Sequence, residues 1–313
     1  MKILIVGAGA LGSLVGGLLA RAGATVQLYN PSQREHINAV RQAGLQIECL
    51  GGETLCIRLQ ATADPHEILQ DPEIVGIFVK AHQTAIAISQ IAAQIPPGAW
   101  VLSLQNGIGM ESEILRYVSP ERFLRGTTAQ GATLLGPGRV RWAGVGPTRL
   151  GRWHGPPTTE TDQLVALFNR AGLETEFVTE IERYLWEKLI VNGAINPLTA
   201  LFDVPNGMIV SDPVLREIAH AVVREALPIA RRHGVLWNES EMIERLETVA
   251  CKTAQNISSM LQDVRRGRRT EIEYINGAIV REGRRLNLPT PVNLLLVKWM
   301  TSLDAKTKGA NLP

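Results

Sequence analysis

Lys188, Asn192 and Asn196 are spaced i, i+4 and i+8 within Trp186–Pro197, a segment that is otherwise largely apolar. On an α-helix this spacing draws one polar stripe, drifting only about 40° per step. A helix that is apolar on its other faces belongs in a core. Burying a lysine and two amides without partners costs roughly several kcal/mol. A cleft that binds a polar ligand resolves that cost, as would a stripe that faces water or caps another helix. A second polar set follows at Asn256–Asp263 and Thr270–Gly277. Asn256 and Ser259, at i and i+3, are expected to share a helix face. Glu271 is placed to meet Lys188, and a carboxylate there would keep the ammonium protonated and oriented. These same residues also suit a helix cap and surface positions.

A different chemistry is written at the N-terminus. Gly7-Ala8-Gly9-Ala10-Leu11-Gly12 follows the apolar run 2–6 and opens a helical pattern. That is the context of a dinucleotide-binding fingerprint. The first glycine permits a tight turn, the second lets the backbone approach a pyrophosphate, and the third lets helix and strand pack closely. The helix N-terminus then offers N–H groups to phosphate. The end of the second strand reads Tyr29-Asn30-Pro31-Ser32-Gln33-Arg34, without the acid that binds ribose hydroxyls in NAD sites. Asn30, Ser32 and Arg34 could instead meet a 2′-phosphate, which favours NADP. Arg34 also fits an exposed first-turn helix position. Lys80 and Asn106 each follow a strand, where ligands of doubly wound folds bind.

These residues need a scaffold. The first half alternates strands at 2–6, 25–29, 74–79 and 100–104 with helical patterns at 10–22, 33–43, 83–94 and 110–117. Such alternation predicts a doubly wound sheet. Residues 44–61, with Gly51-Gly52 in the middle, read as an inserted hairpin. Residues 126–152 suggest further, antiparallel strands that turn at Gly136-Pro137-Gly138. Beyond about 180 the pattern becomes helical, at 181–196, 211–233, 239–266 and 270–286. The expected architecture is α/β plus all-α. A Rossmann-type domain over 1–179 precedes a helical domain over 180–313, and 305–313 is expected to be a frayed tail.

Composition narrows the classes of function. With 313 residues, 45% hydrophobic and 20% charged, the chain can build ordinary cores. A net charge of +2 gives no reason to expect nucleic acid or an anionic membrane as partner. No apolar run is long enough to span a bilayer. Three cysteines and six scattered histidines match no metal-ligand spacing, so no metal is expected and the cysteines read as reduced thiols in a cytoplasmic protein. Left-over apolar helical surface is compatible with a homodimer, as is a monomer.

The motifs GAGALG, FVKAHQ and LQNGIG, the block EKLIVNGAINPLTAL with PNG after it, and QNISSMLQDVRRGRRTEIEYINGAIV resemble the ketopantoate reductase family over essentially the whole length. The resemblance implies an enzyme that reduces 2-dehydropantoate to (R)-pantoate with NADPH, a step of pantothenate and coenzyme A synthesis. Reductases of other branched 2-keto acids share its catalytic residues, and a non-catalytic NADPH sensor is the alternative of another class. By resemblance, Lys188 is the general acid and Glu271 orients it and touches the cofactor. Asn192, Asn196 and Asn206 hold polar groups of the substrate, joined by Asn256 and Ser259. Lys80, Asn106 and Ala132 lie against NADPH, with Asn106 also near the substrate carbonyl. Family members often carry an arginine immediately after the second strand, where this chain has Asn30-Pro31.

Overall fold

The computed structural model describes residues 1–309, and the chain divides into two compact units. Met1–Gln105 and Met110–Ile181 form the first; Asn106–Gly109 and the chain from Glu182 onward form the second.

The first unit contains β1 (Lys2–Val6), α1 (Ala10–Arg21), β2 (Thr25–Tyr29), α2 (Arg34–Ala43), β3 (Leu45–Glu48), β4 (Thr54–Ile57), β5 (Gln60–Thr62), β6 (Ile74–Ile77), α3 (Thr84–Ile91), β7 (Trp100–Ser103), α4 (Glu111–Ile114), β8 (Phe123–Thr128), β9 (Gly131–Gly136), β10 (Arg139–Gly144), β11 (Thr148–Arg152), α5 (Thr159–Arg170) and β12 (Thr175–Phe177). An eight-stranded sheet runs β12-β11-β8-β7-β6-β1-β2-β5. From β5 through β8 all pairings are parallel, and β11 joins β8 antiparallel. The strand β1 shows why such a sheet forms. Its Ile3 and Ile5 enter one hydrophobic cluster and Leu4 and Val6 the other, so both faces are buried. The expected hairpin is present as β3–β4. It joins β10 and β9 in a second, four-stranded sheet. Over 126–152 the expected antiparallel strands form as β9–β10 and β8–β11, while β8 also extends the parallel sheet beside β7. Of the helix expected over 110–117, only the single turn α4 forms.

The second unit contains α6 (Ile181–Phe202, whose first residue groups with the first unit), α7 (Met208–Ser211), α8 (Pro213–Arg231), α9 (Glu239–Lys252), α10 (Ser259–Arg265), α11 (Asn276–Leu286) and α12 (Pro291–Gly309). They enclose one large core in which α6 contributes from Trp186 to Ala200. The stretch 239–266, expected to be one helix, breaks between Lys252 and Ser259. There the Thr253 hydroxyl bonds the Val249 carbonyl and Ser258 caps α10 by accepting from Leu261 N–H. Short hydroxyl side chains compete with the helical backbone in this way. The open turn leaves the Ala254 and Asn256 carbonyls free to accept from Gly207 and Asn206 N–H, at 3.1 and 3.0 Å. Part of the stretch expected to fray is helical: α12 continues through Gly309, and residues 310–313 lie outside the described ones. No helix among the described residues is long and apolar enough to cross a membrane.

Candidate active site

In the first unit the parallel sheet reverses its strand order between β1 and β6, and the ends of these strands are where such folds bind ligands. Gly7 leaves β1 with φ +98°, and a Cβ there would sit 2.5 Å from Val79 N. Any other residue is both strained and obstructed at this point. A Cβ on Gly12 would lie 2.3 Å from Gly7 O, so the third glycine is required by packing. Gly9, the N-cap of α1, has nothing within 4 Å of its would-be Cβ. The middle glycine therefore faces open space beside Ala10, Leu11 and Gly12, whose N–H groups open the helix without intrahelical acceptors. This cradle fits a dinucleotide pyrophosphate.

Around it, Lys80 is half-buried three residues past β6 and begins the single turn Ala81–Gln83. Ala132 is half-buried on β9, opposite Trp142. Asn30 is buried, and its amide oxygen accepts from both the N–H and the hydroxyl of Ser32, at 3.1 and 2.9 Å. Both side chains are thus engaged in shaping the turn after β2. Arg34 is exposed as the first residue of α2, and no carboxylate pairs with it among the described residues. Of the three side chains singled out for a phosphate, Arg34 is the one the turn leaves uncommitted.

In the second unit, α6 carries the polar stripe. Lys188 and Asn192 are half-buried in a run that is otherwise buried from Leu185 to Ala200, and Asn196 is buried. Several devices fix this helix. Pro197 lacks an N–H, which would orphan the Gly193 carbonyl four residues earlier. Asn276 Nδ2 fills that vacancy at 2.9 Å and also donates to Asn293 Oδ1 at 3.0 Å. Asn293 in turn donates to Glu225, which also accepts the N–H groups of Val292 and Asn293 at the start of α12. Next to Lys188, the buried Glu187 receives Arg183 Nε at 3.0 Å and Trp237 Nε1. Sequence patterns do not mark Asn276 or Glu187 for these roles. Only Pro197 inside a helical pattern hints that some side chain must serve the Gly193 carbonyl.

Asn206 is buried in the turn before α7 and donates through Nδ2 to Thr253 Oγ1 at 3.0 Å. The Thr253 hydroxyl has one proton, already given to the Val249 carbonyl at 2.7 Å. The amide must therefore turn its nitrogen toward Thr253, and this leaves Asn206 Oδ1 buried without a hydrogen-bond partner. Glu271 is buried at the start of the short turn Ile272–Tyr274. Asn256 and Ser259 do not share a helix. Asn256 lies in the open turn, Ser259 is the first residue of α10, and both are exposed. Asn106 is half-buried and belongs with this unit, because the chain after it docks on Tyr274. Ile108 N–H donates to the Tyr274 carbonyl at 3.0 Å, and a Cβ on Gly107 would sit 2.4 Å from that oxygen.

Comparison with known proteins agrees with this geometry. The two models of the ketopantoate reductase family match residues 3–155 and, for its C-terminal part, 180–303. The 2-dehydropantoate 2-reductase of Pyrococcus horikoshii is 41% identical over 98% of this chain and 100% of its own. That of Halobacterium salinarum is 39% identical over 93% and 95%. Among solved structures, a ketopantoate reductase from Ralstonia eutropha superposes with a TM-score of 0.89 at 31% identity, covering 98% of this chain and 100% of the other. A D-mandelate dehydrogenase bound to NADH and anilino(oxo)acetate superposes at 0.92 with 29% identity and the same coverage. With a nucleotide cradle in one unit, a buried polar stripe in the other and full-length relatives, the chain belongs to the ketopantoate reductase family.

Proposed function

We propose that the protein reduces 2-dehydropantoate to (R)-pantoate, with NADPH as the hydride donor and Lys188 as the proton donor. The observation that carries this reading is the stripe of Lys188, Asn192 and Asn196 on a helix whose other faces are buried. When bound at the cradle of Gly7, Gly9 and Gly12, NADPH supplies the hydride for the keto carbon. Lys80, Asn106 and Ala132 serve as its further contacts, and Arg34 meets the 2′-phosphate. Lys188 holds a proton at Nζ and passes it to the keto oxygen as negative charge develops there; positioned proton transfer is commonly worth about 10²–10⁴ in rate. Glu271 keeps that ammonium charged and oriented. Asn192, Asn196, Asn256 and Ser259 hold polar groups of the substrate. Asn206 Oδ1, turned away from Thr253, accepts from a donor group on the substrate, which removes the cost of an unsatisfied buried oxygen, about 1–3 kcal/mol.

A second reading is supported by two observations. The chain lacks an arginine directly after β2, and a close structural neighbour is a D-mandelate dehydrogenase bound to NADH. It predicts a reductase of another 2-keto acid, with weaker preference for NADPH. The deciding experiment follows NADPH and NADH oxidation with 2-dehydropantoate beside other branched and aromatic 2-keto acids. Highest kcat/KM with 2-dehydropantoate and NADPH is the expected result. Preference for another 2-keto acid moves the substrate, and cofactor binding without any turnover refutes the catalytic reading.

A further inference from the structure

Beneath the nucleotide cradle lies a buried polar network that the proposed chemistry does not use. Arg125, on β8, is fully buried and pairs with Glu111 of α4 at 2.9 Å. Its Nη1 also donates to Ser103 Oγ at 3.0 Å and to the carbonyls of Ser103 and Gln105, both at 3.3 Å. A buried ion pair of this kind is weak support for stability, because desolvating two charges offsets most of their attraction. Its other service is to fix geometry.

The geometry it fixes can be followed proton by proton. Ser103 Oγ accepts from Arg125 and gives its single proton to Gln105 Oε1 at 2.9 Å. The Gln105 amide then has one orientation, with Nε2 turned away from Ser103. Nε2 donates to the Val79 carbonyl at 2.8 Å and to Thr84 Oγ1 at 2.7 Å. Val79 immediately precedes Lys80, and its nitrogen forms the wall against which Gly7 turns. Gln105 itself immediately precedes Asn106. One amide therefore ties together the exits of β6 and β7 and the wall of the glycine turn.

We infer that Gln105 is a positioning residue for the nicotinamide cofactor, its amide locked by Ser103 and by the buried Arg125–Glu111 pair. This rests on the proposed use of that cofactor. Gln105 sets the place of Lys80 and of the Gly7 turn through Val79, without touching the cofactor.

The test is direct titration of NADPH and NADH binding by fluorescence, which needs no turnover. Gln105→Glu replaces the donor to Val79 with a repelling oxygen and is expected to weaken binding on the order of 10- to 100-fold. Ser103→Ala and Thr84→Ala each remove one of the amide's other partners and should weaken binding in the same direction by less. The joint replacement Arg125→Met with Glu111→Leu separates positioning from stability, since apolar residues of similar size often replace a buried pair without loss of stability. It should leave the melting temperature near that of the wild type and still weaken cofactor binding. Wild-type affinity in Gln105→Glu, or in Ser103→Ala and Thr84→Ala should Gln105→Glu not fold, would overturn the assignment while leaving the cofactor reading intact. Wild-type protein that binds neither dinucleotide would overturn both.

Discussion

The two units present their proposed ligand groups in opposite ways. In the first, the cradle is main chain: Gly7, Gly9 and Gly12 serve by having no side chain, and the turn at Gly7 holds only because nothing lies between it and Val79. In the second, the groups are the side chains of Lys188, Asn192 and Asn196, displayed on a helix that Pro197, Asn276 and Glu187 hold in place. A main-chain site fails when atoms are added, and where the glycine is also packed, as at Gly7, the fold fails with it. A side-chain site fails when atoms are removed, and the fold survives.

The largest expected effect is on the side-chain site. Lys188→Ala should cut kcat by about 10²–10⁴ and leave cofactor affinity nearly unchanged. Steady-state kinetics beside a fluorescence titration would check this. Loss of cofactor binding with normal turnover would remove Lys188 from the acid role.

Next come two alanine substitutions that sit close together in the glycine turn and should act differently. Gly7→Ala forces a positive φ on a residue with a Cβ, a strain of about 1–3 kcal/mol, and drives that Cβ into Val79. The melting temperature should fall clearly. Gly9→Ala adds its methyl to open space, so thermal stability should hold while cofactor binding weakens. If both variants melt like the wild type, the contacts at Gly7 do not build the cradle.

Much of this contrast is legible in the amino-acid sequence. The β1–α1–β2 register and the fingerprint come from local pattern, because apolar runs, glycines and helix starts act over a few residues. The stripe on α6 is readable for the same reason. What stays hidden depends on partners distant in sequence. The hairpin β3–β4 enters its sheet by pairing with β10, whose Arg141 lies 93 residues beyond its partner Glu48. Nothing local marks Arg125 as a buried residue in a parallel strand, since its partner Glu111 comes from a single helical turn. The break after α9 needs the carbonyls demanded by Asn206 and Gly207, and the grouping of Asn106 with the helical unit needs Tyr274.

A smaller effect tests the nucleotide preference of the main-chain site. Arg34→Ala should weaken NADPH by about tenfold, the scale of one charge-assisted contact, and hardly change NADH. Equal weakening of both would mean that Arg34 does not read the 2′-phosphate.

The smallest expected effect separates the units by pH. In the first unit, His36 lies buried between α1 and the β9–β10 turn. Its Nδ1 accepts from Gly138 N–H at 3.0 Å, so Nε2 carries the proton and donates to Ser13 Oγ at 2.9 Å. Burial holds this imidazole below its ordinary pKa, against a weaker upward pull from the Gly136 carbonyl. In the second unit, His233 bonds Glu182 and Glu282 at 2.6 and 3.1 Å. The hydrogen bond to Glu182 raises its pKa, burial opposes the rise, and Glu282 adds to it. The unfolded value is about 6.5 for both. The folded His36 resists protonation, so its contribution to stability is complete above about 6.5 and is lost as pH falls below it. The folded His233 favours protonation, so its contribution is complete below about 6.5 and is lost as pH rises through its raised value. Amide exchange resolved by segment should therefore show helices α6, α8 and α11 loosening toward alkaline pH, and α1, α2 and the β9–β10 turn loosening toward acid. His233→Gln should abolish the first trend and leave the second. If both trends survive that substitution, His233 is not the group that makes the second unit sensitive to pH.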